Sequence, residues 1–264
     1  MQLPRSAALV PRLEILQHAG STNDELAGRA GADPDDWPDL SVLVTDDQRA
    51  GRGRLGRVWV APTGKTLAIS VLLRPVTEDG AQLERDAFGW LPLLAGVAMA
   101  RAAQSLGVEA RVKWPNDVLI ADHKVCGVLS ELLPASASEA PGAVIGAGVN
   151  LSLAPDELPV DTATSFTIAG IDPDPDVLLA AYLMELNRLY RGFLAADGDA
   201  VGSGIADAVR DACETLGRAV RVELPGGDVL VGTAADIDET GRLVVEANGR
   251  RTAVAAGDVT HLRY

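Results

Sequence analysis

Apolar and polar positions divide this chain into short segments of two different periods. Residues 13–19 (LEILQHA), 41–45 (SVLVT) and 67–73 (LAISVLL) are brief apolar runs bounded by turn residues, which predicts strands, the last two of the fully buried type. Arg111 to Trp114 and Val118 to Ile120 read as strands flanking a Pro115-Asn116-Asp117 turn. Lys124 to Leu133 and Ala143 to Leu151 read as two more, with a Pro- and Ser-rich loop between them. Helical spacing falls elsewhere. Ser21-Thr22-Asn23-Asp24-Glu25 opens a helix, with Thr22 and Glu25 at the spacing of a capping box. Phe88 to Leu106 is an apolar helix whose Trp90–Ala103 stretch reads as core. Pro173 and Pro175 lead into a long helix from Asp176 to Ala195, and a shorter one runs from Ile205 to Leu216. Gly31 to Leu40 and Gly51 to Arg57 are loops.

The tail changes character near Gly217. Residues 220–224, 229–237, 243–247 and 252–256 are closely spaced short strands, joined by turn signals at Pro225-Gly226-Gly227-Asp228 and Glu239-Thr240-Gly241. That spacing predicts a small barrel of about 45–50 residues. A mixed α/β unit over 1–216 followed by a small all-β unit over 217–264 is therefore expected.

Composition narrows the function. With 23 basic against 37 acidic residues the formal charge is −14, which argues against a general nucleic-acid or acidic-membrane binder. The longest apolar run, Trp90 to Ala100, is too short to span a bilayer. No signal peptide is read in Met1 to Ile15. Two isolated cysteines, Cys126 and Cys213, form no framework, which points to a reducing, cytoplasmic setting. His18, His123 and His261 have no zinc spacing.

Two motifs are decoys. Gly51-Arg52-Gly53-Arg54-Leu55-Gly56 matches G-x-G-x-x-G, but no helix follows, so a dinucleotide fold is excluded on context. Gly64-Lys65-Thr66 ends like a P-loop, but Trp59 stands where the first glycine belongs. What remains is a glycine frame carrying Arg49, Arg52, Arg54 and Arg57 in an acidic chain. Arginine forks bind anions bidentately and glycine allows close backbone approach, so this loop suits a polyanion. Lys113-Trp114-Pro115-Asn116-Asp117 adds oxygen ligands of the kind that suit Mg²⁺. Lys124 with Gly127, Gly146-Ala147-Gly148-Val149-Asn150 and Ser21-Thr22-Asn23 would each pass alone for ordinary structure: a solvated lysine, close strand packing, a helix cap.

In order and spacing, these five segments resemble the biotin–protein ligases. Asp47-Gln48-Arg49-Ala50-Gly51-Arg52-Gly53-Arg54, Trp59, Lys113-Trp114-Pro115-Asn116-Asp117 and Lys124-Val125-Cys126-Gly127 carry the resemblance, which with the small C-terminal unit covers nearly the whole chain. Cys126 departs from the family's frequent alanine. The resemblance implies a class II aminoacyl-tRNA-synthetase-like mixed-sheet catalytic domain with an SH3-like C-terminal barrel. It implies ATP and biotin as substrates, Mg²⁺, and a biotin carboxyl carrier domain of an acyl-CoA carboxylase as acceptor. Biotin would be activated as biotinyl-5′-AMP and passed to a lysine.

By the same resemblance, Ser21, Thr22, Asn23 and Gln48 contact the ureido ring and its neighbours, and Trp59 walls the ligand. Arg52, Gly53 and Arg54 serve carboxylate and phosphate. Lys124 meets the biotin carboxylate and the α-phosphate oxygens, where charge develops, and so belongs to both the biotin and the nucleotide side; Lys124, Arg54 and Asp117 form the catalytic set. Arg57, Lys113, Gly127 and Asn150 belong to the nucleotide side. Asp117 either holds Mg²⁺ or positions the amine. The glycine–arginine loop is expected to order over the adenylate and keep water out. Only about a dozen residues precede the first strand, too few for a two-helix DNA reader, so no operator binding is expected. A lipoate–protein ligase and a non-enzymatic biotin or nucleotide sensor are the rival readings; the intact Lys124, Asp117 and Arg54 disfavour the sensor.

Overall fold

The computed structural model describes every residue except 60, 61, 78, 134–140, 225, 226, 256, 263 and 264. In chain order the first unit comprises α1 (Pro4–Ala7), β1 (Leu13–Ile15), α2 (Thr22–Ala32), β2 (Val42–Thr45), β3 (Gly51–Arg52), β4 (Val58–Trp59), β5 (Thr66–Leu73), α3 (Leu91–Ser105), β6 (Ala110–Lys113), β7 (Asp117–Ile120), β8 (His123–Leu133), β9 (Gly142–Asn150), α4 (Pro175–Ala195) and α5 (Ile205–Ala212). Seven strands form one mixed sheet in the order β1-β2-β5-β9-β8-β7-β6. Only β1 and β2 run parallel.

Strand alternation divides this sheet into a core face and a working face. On β5, Leu67, Ile69, Val71 and Leu73 enter the main core with α3 and α4, while Leu72 joins a smaller cluster under α2 with Leu26, Ala30, Trp37 and Val144. The same alternation on β9 sends Ala143, Ile145, Ala147 and Val149 into the main core, leaving Gly146, Gly148 and Asn150 on the α2 side. α3 is buried on nearly all sides, as its uninterrupted apolar sequence requires.

The C-terminal unit is an antiparallel sheet of β10 (Ala219–Glu223), β11 (Val229–Ile237), β12 (Leu243–Ala247), β13 (Arg250–Val254) and β14 (Asp258–His261), ordered β13-β12-β11-β10-β14. Where the strand spacing predicts a barrel, the described pairings form this five-stranded sheet and leave β13 and β14 as its outer strands. β14 is absent from the sequence reading, because Val259 is the single buried apolar residue in it. It is nonetheless held by pairing with β10 along Val220–Glu223. Two tryptophans dock this unit on the first: Trp90 Nε1 donates to Glu239 O at 2.9 Å and Trp114 Nε1 to Gly241 O at 3.0 Å.

Other expectations shift. The predicted strand at 13–19 stops at Ile15, and Ala19 makes only an isolated bridge to Gln48. The helix predicted to Leu216 ends at Ala212. Residues 51–57, read as a loop, begin a small hairpin in which Gly51 pairs with Trp59 and Arg52 with Val58. The predicted turn residues Pro225 and Gly226, and Ala256 at the end of a predicted strand, lie outside the described residues.

Candidate functional site

The start of α2 points into a cavity of about 810 Å³ on the working face of the large sheet. The cap is Ser21, whose hydroxyl accepts from Asp24 N, and not Thr22 as the capping-box spacing suggests. Thr22 is the first helical residue and its polar atoms serve the cavity wall instead. Its backbone N–H donates to Gln48 Oε1 at 2.8 Å, and its hydroxyl lies 3.0 Å from the same oxygen. Gln48 is brought alongside by the segment that follows β2, through Arg49 N to Ala19 O and Ala50 N to Gly20 O. Asn23 is buried, with Nδ2 donating to Glu131 Oε2 at 2.7 Å and to Leu129 O at 3.3 Å.

The hairpin formed by β3 and β4 covers one side. Arg52 pairs with Asp24 and, at 2.9 Å, with Glu131. Arg54 is half-buried and reaches neutral oxygens, Asn116 Oδ1 and Gly257 O, each at 3.3 Å. Burial lowers its pKa from the ordinary value, against the opposing pull of Asp117 and Asp258, and an arginine there remains a cation. Arg57 pairs with Asp258, and that hydrogen bond raises its pKa. Thus Gly257 and the first residue of β14, Asp258, hold two arginines of the hairpin, a contact between the units that the sequence reading did not foresee. Leu55 and Val58 stand exposed at the hairpin's tip. Trp59 crosses the floor so closely that a Cβ on Gly148 would lie 2.9 Å from its indole Cε2.

The far wall comes from β6, β7 and β8. Lys113 and Asp117 are register partners across the Trp114–Asn116 turn. Lys124 Nζ lies 2.6 Å from Asp117 Oδ1, both side chains partly exposed. Gly127 faces Asp117 in the β7–β8 register. Asn150 is buried with Nδ2 donating to Thr164 O at 2.9 Å, so it anchors the 163–166 segment as well as lining the cavity.

All fourteen residues given site roles therefore line this one cavity: Ser21, Thr22, Asn23, Gln48, Arg52, Gly53, Arg54, Arg57, Trp59, Lys113, Asp117, Lys124, Gly127 and Asn150, whereas Arg49, the fourth arginine of the glycine frame, does not line it and pairs with Asp47. Sequence reasoning missed Ser70, Glu131 and Asp258. The signals were a serine inside an apolar strand and a glutamate in another. Among the described residues no group of three or more His, Cys, Asp or Glu side chains is arranged to hold a metal. Four carboxylates line the cavity, Asp117, Asp122, Asp161 and Asp258, and Asp117, the one beside Lys124, fits an ion that arrives on substrate phosphates.

The Biotin/lipoate A/B protein ligase family model matches residues 21–150, the span that supplies most of these walls. A biotin–[acetyl-CoA-carboxylase] ligase of Mycobacterium tuberculosis is 36% identical, over 96% of this chain and 90% of that protein. The chain belongs to the biotin protein ligase family. Residues 215–262 match the biotin protein ligase C-terminal domain. The bifunctional ligase/repressor BirA of Escherichia coli is 32% identical over 89% of this chain and 69% of its own length. A biotin protein ligase from Aquifex aeolicus in complex with biotin and ATP has the same fold, with a TM-score of 0.73 at 24% identity, covering 96% of this chain and 100% of that one. Membership in the biotin protein ligases explains why residues of two sheets, one helix cap and one hairpin converge here.

Proposed function

We propose that the protein joins biotin to a lysine of the biotin carboxyl carrier domain of an acyl-CoA carboxylase, using ATP and passing through biotinyl-5′-AMP. One observation carries the reading. A single cavity gathers all fourteen motif residues, in a chain 36% identical to a biotin–[acetyl-CoA-carboxylase] ligase. Residues 1–216 act as the catalytic unit and 217–264 as the C-terminal unit, working in the cytoplasm; among the described residues no helix is long and apolar enough to cross a membrane.

In the first step a biotin carboxylate oxygen attacks the α-phosphorus of ATP, and the bond to pyrophosphate breaks. Two anions must meet, so fixed cations dominate the catalysis. Arg54, desolvated and held by neutral oxygens, gives its charge to carboxylate and phosphate without a carboxylate partner to displace. Lys124 serves the biotin carboxylate and the α-phosphate oxygens. Arg52 and Arg57 add phosphate contacts at the rim, and Lys113, Gly127 and Asn150 border the nucleotide. Asp117 is the residue that would hold Mg²⁺ together with substrate phosphates, where the ion neutralises phosphate charge. Ser21, Thr22 and Gln48 offer hydroxyl and amide partners to a ureido ring, which carries two N–H donors and a carbonyl. Trp59 and the hairpin shield the mixed anhydride from water. In the second step the lysine amine attacks the acyl carbon, the amide forms and AMP leaves.

The test is biotin-dependent ATP–pyrophosphate exchange, followed by ATP-dependent labelling of a carrier domain. Exchange with biotin and labelled carrier are expected. Absence of exchange refutes the reading, and exchange with lipoate in place of biotin transfers it to the lipoate–protein ligases.

A further inference from the structure

Behind the cavity wall runs a chain of polar side chains, two of which, Ser70 and Glu131, lie outside the motifs. Arg52 and Asn23 both donate to the Glu131 carboxylate, at 2.9 and 2.7 Å. Asn23 Oδ1 lies 2.6 Å from Ser70 Oγ, which lies 2.8 Å from Thr22 Oγ1, and Thr22 in turn meets Gln48 Oε1. Ser70 is fully buried on β5, beneath the first turn of α2. Neither Ser70 nor Glu131 lines the cavity itself.

The chemistry of each link fixes the next. A carboxylate and the Leu129 carbonyl can only accept, so they hold the Asn23 Nδ2 hydrogens and turn Oδ1 toward Ser70. An amide oxygen can only accept, so the Ser70 proton goes to Asn23. The Thr22–Ser70 contact is then made by the Thr22 proton or not at all. The Thr22 backbone N–H demands an acceptor, which fixes Gln48 Oε1 there and leaves Nε2 as the amide's uncommitted end. Among the described residues, Nε2 has no protein acceptor. The wall thus keeps a spare amide donor at Gln48, beside Gly51, while the Asn23 side chain has no hydrogen left to offer.

Resting on the reading above, we propose that Ser70 and Glu131 are positioning residues that set the donor–acceptor polarity of the biotin-ring wall. They select a ring bearing a carbonyl acceptor, and Glu131 ties that wall to Arg52 on the hairpin. Lipoate, whose ring has no carbonyl, gains nothing from this polarity.

The experiment compares wild type with Ser70→Ala and Glu131→Gln, on two different strands. Biotin binding is measured by calorimetry, and KM and kcat by pyrophosphate exchange with biotin and with lipoate. Thermal melting is recorded in parallel. Both variants are expected to raise Kd and KM for biotin about tenfold and to lower the preference for biotin over lipoate by a similar factor, and Ser70→Ala, which touches no cation, to leave KM for ATP within about twofold. A role in folding alone would lower the melting temperature without this split. Should Ser70→Ala fail to fold, Glu131→Gln, partly exposed and of equal size, decides the matter. Unchanged biotin affinity in a folded variant overturns the proposal while the function stands. A wild-type protein that binds no biotin overturns both.

Discussion

Gly127→Ala separates the position of a catalytic cation from the stability of the fold. A Cβ at Gly127 would lie 2.7 Å from Lys124 Nζ and 2.8 Å from its Cε, while Asp117 Oδ1 stands 3.8 Å away. Unstrained contact needs roughly 3.5 Å or more, so the ammonium must move by about 1 Å. The obstructing atoms are the tip of a flexible side chain, and alanine restricts the unfolded chain more than glycine does. The melting temperature is therefore expected to change by no more than about 4 °C, the equivalent of a kcal/mol or less. The ammonium, however, leaves its 2.6 Å contact with Asp117. Misplacing a reacting group by about 1 Å can cost on the order of 100-fold. We expect kcat for adenylate formation to fall by about 30- to 100-fold, or roughly 2 to 2.7 kcal/mol. KM for biotin should stay within about threefold, because the atoms a Cβ at Gly127 meets belong to Lys124 and Asp117 and not to the ring contacts at Ser21, Thr22 and Gln48. Single-turnover formation of biotinyl-AMP is the assay. Adding Lys124→Ala to the Gly127→Ala background should cost far less than in wild type, since both remove one interaction. A single-turnover rate within about threefold of wild type would refute the reasoning.

Further outcomes follow from other contacts. Arg54→Gly removes a half-buried cation held against Asn116 and Gly257; free biotinyl-AMP in solution, measured by chromatography, should rise at least about tenfold, as one charged hydrogen bond is worth roughly 1.5–3 kcal/mol. Asp176 caps the N-terminal helix α1, accepting from Arg5 N, Ser6 N and Ser6 Oγ at 2.9, 2.9 and 2.7 Å. Burial works against its ionisation, but these donors prevail and lower its pKa below the ordinary 3.8. Its contribution is thus present above 3.8 and lost as pH falls through the lowered folded value; urea melts should show Asp176→Ala destabilised by about 1–3 kcal/mol at pH 7 and less below pH 3. Burial pushes the Cys126 thiol up to about 12 and raises that of Cys213; mass spectrometry should find neither alkylated by iodoacetamide at pH 8 in the native protein, and both alkylated in denaturant.

Most strands of the large sheet and the long helices were legible from local signals, apolar runs and proline-led helix starts, whereas the fourteen cavity residues were reached through the resemblance that the order and spacing of their segments carry. What was hidden is what alternation along a strand does once both faces are covered. LAISVLL reads as one buried run, yet Ile69 and Val71 enter the core while Ser70 meets Thr22 and Asn23. Thr22 reads as a cap because the spacing to Glu25 is local, whereas its true partners, Gln48 and Ser70, are 26 and 48 residues away. β14 carries too little apolar residue to announce itself, and its hold on the hairpin through Gly257 and Asp258 spans about 200 residues of sequence, beyond any local pattern.

The acidic balance of the chain gains a meaning at this site. Three of its cations rest on carboxylates: Arg52 on Asp24 and Glu131, Arg57 on Asp258, and Lys124 on Asp117. Exposed or partly exposed pairs of this kind are worth only about 0–1 kcal/mol, so phosphates can displace the carboxylates at little cost. Without substrate the pairs keep the cations from repelling one another and from attracting other anions. Arg54 differs, because its contacts are a side-chain amide oxygen and a backbone carbonyl and its burial has already removed water. No carboxylate has to leave before it binds. It follows that the exchangeable pairs govern the approach of ATP and its sensitivity to salt, whereas Arg54 governs how firmly the adenylate is held once made. Raising ionic strength should therefore increase KM for ATP through Arg52, Arg57 and Lys124 while leaving retention of the adenylate nearly unchanged, since screening weakens exposed charges far more than buried ones.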